Sequence, residues 1–184
     1  MSTEAAPSLP EPVRSPGNGI FGIIAAIIGI LVGAWMTAGR VLFGIDGSLI
    51  LWFALSLAPV VLVIQVLTGR NIRRTSLRGY RMRPATLATL ISSWVLGILF
   101  GLMVPEATAE GLHSILGLLA GPVAQEIGIG VCNPLGVISV GISIFSLVLS
   151  AGDARGPRPA PTEEDPGAEE YIPYFSPAAR ENRP

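Results

Sequence analysis

The chain has no lysine: its twelve basic residues are all Arg, and 184 residues hold one His and one Cys. A phosphate loop of the G-x-x-x-x-G-K type is therefore impossible, and no G-x-S-x-G nucleophile elbow occurs either. A single Cys excludes an internal disulfide and a Cys-based metal site, so Cys132 reads as a small apolar residue near a helix start. With no His/Cys/Asp cluster at metal-ligand spacing, the inventory points away from an enzyme: no catalytic residue, cofactor or metal is expected.

Charge is scarce as well. Charged residues make up 14% of the chain and hydrophobic ones 50%, with a mean hydropathy of +0.59, far from the soluble average. A net charge of −1 argues against a nucleic-acid partner. Residues 15–39, 47–69, 84–105 and 127–152 carry no charge at all. The class is an integral membrane protein, and Arg-only usage suggests a GC-rich, bacterial genome.

What is present is a series of apolar runs of membrane length. Gly19 to Gly39 is an uncharged run of about 31 Å as a helix, enough for one crossing. It exceeds the apolar core of a signal peptide and lacks an A-x-A-like site, so it reads as an uncleaved first span. After a short connection, residues 48–68 form a second span, in which Pro59 should bend the helix. Residues 69–84 contain six Arg and no acid and read as a loop; residues 85–104 form the third span.

The segment after Glu106 and Glu110 is ambiguous between one crossing and two. Residues 112–131 offer nine Leu, Ile or Val, about −3 to −5 kcal/mol of insertion energy, against about +2.5 to +3.5 for a buried charge such as Glu126. His113, Gln125, Pro122 and four Gly weigh further against insertion. The fourth span is then 134–151, and 105–133 is an outer loop or a re-entrant segment, which the bilayer tolerates only where protein or water satisfies its backbone. Arg14, the six loop Arg, Arg155 and Arg158 fall on one side against Arg40 on the other, which orients both termini toward the cytoplasm. The expected fold is thus all-α: a four-helix membrane bundle in the cytoplasmic membrane, with a disordered leader (1–18) and a disordered acidic, Pro-rich tail (153–184).

Four features carry functional expectations. Small residues recur at helical spacing: Ala25, Gly29, Gly33 and Thr37; Thr89, Ser93, Gly97 and Gly101; Gly136, Ser139, Ser143, Ser146 and Ser150. Such faces allow close helix packing, within the chain or in a homo-oligomer. Glu126, His113 and Gln65 are the ionisable or amide groups that would handle protons or ions if they shared a cavity. Arg70, Arg73, Arg74, Arg78, Arg81 and Arg83 form a basic cluster suited to anionic headgroups or a partner. Tyr171, Ile172, Tyr174 and Phe175 interrupt the polar tail as apolar anchors for docking on a partner. Together these favour a structural or accessory subunit over a small oligomeric transporter or channel component.

Overall fold

The computed structural model describes residues 18–45, 47–108 and 111–156. Helix α1 (Ile20–Ala38) continues into a 3-10 turn (Gly39–Phe43), and a bent pair follows, α2 (Leu49–Leu55) and α3 (Leu57–Leu77). Helix α4 is Pro84–Met103. Strands β1 (Glu106–Thr108) and β2 (Gly111–His113) make a hairpin that leads into the short α5 (Ile115–Ala120) and the long α6 (Pro122–Arg155).

By length and composition three helical stretches suit a membrane crossing: Ile20–Phe43, Pro84–Met103 and Pro122–Arg155. The α2/α3 pair qualifies jointly, as one path bent by 42°. Their outward faces are apolar, with Leu31, Val63, Ile91 and Val148 among many large hydrophobics left exposed by the protein itself. A soluble protein of this size does not leave so much contiguous apolar surface uncovered.

The bend sits at Ser56 and not at Pro59. A proline has no N–H and its ring collides with the carbonyl four residues earlier, which here is Leu55, so the ladder fails just upstream of the ring. The Ser56 amide still closes α2 onto the Trp52 carbonyl at 3.0 Å, and its hydroxyl donates to the same oxygen at 2.6 Å.

Four boundaries depart from the sequence reading. The arginine segment is no simple loop: α3 runs through Arg70, Arg73 and Arg74 to Leu77, and only 78–83 connects to α4. Second, the all-α expectation omits the hairpin, in which Glu106 pairs with His113, Ala107 with Leu112 and Thr108 with Gly111. Third, α6 begins at Pro122, not Pro134; Gly121 (φ 86°) and Pro122 form its start, since glycine accepts the left-handed turn and proline suits the first helical position. Pro134 is carried inside the helix, exposed toward the outside of the bundle. Finally, Asp153 and Arg155 belong to α6, so the tail starts later than residue 153.

The main packing is α1 against α3, α4 against α6, and α3 against α6. Small residues permit it. A side chain at Gly22 would collide with the Arg73 backbone and the Gly69 carbonyl, and one at Gly69 with Ala26 and the Gly22 carbonyl. The α1 and α3 backbones therefore touch there, as small-residue faces allow in lipid. Gly97 and Gly101 of α4 receive Val32, Met36 and Trp35 of α1. Between these faces Val32, Met36, Val61, Phe100 and Val104 form the main apolar core.

Candidate functional site

The helix register gives the molecule two ends. The arginine end gathers the start of α1, the end of α3, the start of α4 and the end of α6. The hairpin end holds the 3-10 turn, α2, the hairpin, α5 and the first turns of α6.

At mid-height lies Gln65, 3% exposed. Its carbonyl oxygen accepts from Trp94 Nε1 at 3.3 Å and its amide donates to Ser93 Oγ at 3.5 Å, while Gly29 of α1 makes room for the side chain. Gln65 thereby joins α3 to α4 beneath α1. An amide this deep has both of its polar functions used, so it acts as an interhelical clamp of the kind that apolar surroundings demand.

The hydroxyl stripe of α6 is turned inward. Ser139, Ser143, Ser146 and Ser150 are each at most 3% exposed. Ser143 donates to the Ser139 carbonyl at 2.8 Å and Ser150 to the Leu147 carbonyl at 2.8 Å; Ser150 also accepts from Asn71 Nδ2 at 3.4 Å. Thr37, Thr68, Thr75 and Ser93 bond back to their own helices in the same way. Hydroxyls that bond back to their own backbone can line contacts between helices; among the described residues the enclosed Ser146 Oγ has no hydrogen-bond partner.

At the hairpin end a carboxylate and a guanidinium are entirely enclosed. Arg40 Nη1 stands 3.0 Å from Glu106 Oε2, with the side chains 1% and 0% exposed. The contact is an ion pair and not a hydrogen bond, so among the described residues these two atoms have no directed hydrogen-bond partner. The other carboxylate oxygen accepts the Leu49 amide at 3.0 Å, capping the first turn of α2. Arg40 also lies over the Phe53 ring, 5.3 Å from its centroid, and Nη2 reaches the Thr37 carbonyl at 3.4 Å. Gly47 is required beside them, because Glu106 fills the space a Cβ would take. One carboxylate thus ties together the end of α1, the start of α2 and β1. Enclosed charges are tolerable only when paired.

The arginine end has a half-open counterpart. Asp153 Oδ1 lies 3.0 Å from Arg83 Nε, with Asp153 1% and Arg83 60% exposed. Asp153 Oδ2 accepts from Thr86 Oγ1 at 2.6 Å and from the Arg83 amide at 3.2 Å. Arg78 Nη1 donates to the Ala154 carbonyl at 2.7 Å. These bonds lock the last turn of α6 onto the start of α4. Arg70, Arg73, Arg74, Arg78, Arg81 and Arg83 all remain exposed.

Glu126, His113 and Gln65 do not share a site. Gly128 of α6 meets the Met103 carbonyl at the end of α4, so Glu126 lies beyond the end of that helix, exposed on the outer surface. Its neighbour Gln125 donates to the Leu112 carbonyl and holds the hairpin. His113 is half-buried, its Nε2 enclosed without a hydrogen-bond partner among the described residues, and the hairpin register sets it across from Glu106. Among the described residues no three His, Cys, Asp or Glu side chains gather as a metal ion would need. Tyr171, Ile172, Tyr174 and Phe175 lie outside the described residues.

The chain matches no family model, no curated protein and no solved structure. Function must therefore be read from the residues. Sequence reasoning passed over Arg40, Glu106 and Asp153 because each adjoins an uncharged run and looks like an ordinary flanking charge. The signal in hindsight is their position: opposite charges placed where a connection crosses the end of a bundle.

Proposed function

We propose that the protein is a four-span membrane protein with both termini in the cytoplasm, acting as a non-enzymatic structural or accessory subunit. The observation that carries this reading is the use made of the interior polar groups. Gln65, Ser93, Ser150 and the carboxylates of Glu106 and Asp153 are engaged in holding one element to another. Chemistry or conduction would need such groups facing a shared, solvated space. What stays available is charge: the exposed Arg cluster at one end.

Orientation rests on the Arg count. Among the described residues seven Arg (Arg70, Arg73, Arg74, Arg78, Arg81, Arg83 and Arg155) lie at the arginine end and Arg40 at the other. The positive-inside rule counts Arg and Lys, not net charge, and so favours a cytoplasmic arginine end. There the Arg cluster meets anionic lipid headgroups, and Tyr171, Ile172, Tyr174 and Phe175 offer anchors to a partner protein.

The test is mild-detergent affinity purification of the full chain and of a version ending at Gly156, with co-purifying proteins identified by mass spectrometry. The cut must spare Asp153 and Ala154, whose bonds to Arg83, Thr86 and Arg78 close the bundle. A stoichiometric partner present with the full chain and lost on truncation is the expected result. The same partner-free particle from both versions would remove the accessory-subunit reading.

A further inference from the structure

A cavity of about 580 Å³ opens at the arginine end, lined by Arg81, Met82, Arg83, Pro84 and Leu87. Its two halves differ in chemistry. On the polar side, Arg83 is pinned from behind: Asp153 engages its Nε and its backbone amide, leaving the 60% exposed guanidinium with its terminal nitrogens to the outside. Arg81 is exposed and, among the described residues, has no hydrogen-bond or ion-pair partner. On the apolar side Leu87 begins a ridge along the outer face of α4, continued one turn at a time by Ile91, Val95 and Ile98, all exposed. Four-residue and three-residue steps on a helix keep these side chains in one line.

We propose that this cavity binds one anionic phospholipid, its phosphate held between Arg81 and Arg83 and an acyl chain laid along Leu87, Ile91 and Val95. The inference rests on the reading that the arginine end faces an anionic leaflet. A soluble phosphate compound would use the guanidinium pair but leave the apolar half and its ridge idle. A zwitterionic lipid would use the ridge but bring a choline or ethanolamine cation toward two Arg. Only an anionic headgroup with a chain attached matches both halves, and basic pockets beside spans at the cytoplasmic side are suited to such lipids. The buried Asp153 is a positioning residue here: it holds Arg83 and reduces the ordering needed on binding.

The experiment uses the full chain in nanodiscs of phosphatidylcholine containing a minority of phosphatidylglycerol, with retained lipid read by native mass spectrometry. Wild-type protein should retain about one phosphatidylglycerol per chain. Arg81→Gln, which removes a side chain without an intramolecular partner, should weaken that retention about fivefold, the effect of one Arg beside an anionic group. Arg155→Gln, at an exposed Arg in the last turn of α6 outside both the cavity and the basic cluster, should leave it unchanged. Equal retention of both lipids, equal weakening by the two variants, or displacement of the lipid by millimolar inorganic phosphate would each overturn the proposal. A C-terminal reporter read in cells separates the two levels of inference: a cytoplasmic reporter with failed retention removes the lipid site alone, whereas an external reporter removes the underlying orientation and the lipid site with it.

Discussion

The two ends of the bundle each close on a carboxylate and an arginine, but they treat the arginine differently. Glu106 and Arg40 are both enclosed, so the pair is cut off from water and serves only the protein. Asp153 is enclosed while Arg83 stands 60% exposed, so its cation still meets the surroundings. A charge shut in with its partner is a fastening; a charge held by its partner at the surface remains available for a ligand. The hairpin end accordingly holds a fully enclosed polar junction, whereas the arginine end pairs its junction with an open cavity.

The largest effect should come from splitting the enclosed pair. Arg40→Met or Glu106→Leu alone strands a charge in apolar surroundings and should cost about 3–5 kcal/mol. Unfolding in mixed detergent micelles would measure it. The double variant should recover most of the loss, because two apolar side chains leave no orphaned charge. A double variant as unstable as either single one would show that the pair contributes more than charge compensation, such as the cap on Leu49.

Next in size is Asp153→Asn. It weakens charge-assisted bonds to Thr86 and Arg83 but leaves Arg83 in contact with water, so a loss of about 1.5–3 kcal/mol is expected by the same assay. A loss equal to that of Arg40→Met would erase the contrast between the ends. The smallest effect belongs to Glu126→Gln, at an exposed site beyond the end of α4: within about 0.5 kcal/mol of wild type, as surface substitutions usually are. A large destabilisation would place Glu126 in a junction of its own.

Much of the helical layout is legible in the residues. Helices α1 and α4 lie within one residue of the expected Gly19–Gly39 and 85–104 runs, because an uncharged run ended by charge or Pro has few other ways to satisfy its backbone in lipid. Pro59 announces a bend, though the ladder breaks upstream at Ser56, where the lost bond's acceptor lies next door. Gly121–Pro122 carries the chemistry of a helix start, but the insertion arithmetic counts Pro122 only as a feature against a span. That arithmetic prices residues against lipid. Helix α6 instead begins against protein, with Gly128 on Met103 and Leu116, and Gln125 bonded to Leu112. Thirteen residues of separation say nothing about faces, and among the described residues no hydrogen bond or ion pair joins Glu126 to His113, which the hairpin register pairs with Glu106.

By itself the sequence determined an arginine-only, lysine-free chain built of long apolar helices, with its free positive charge concentrated after the second of them. Those properties follow from composition and from the backbone's need for internal hydrogen bonds in an apolar medium. The tertiary structure alone decided which charges are shut away and which stay available. Arg40 and Glu106 lie 66 residues apart, and Arg83 and Asp153 lie 70 apart. Helix packing brings each pair together, and no local pattern records which charges will meet.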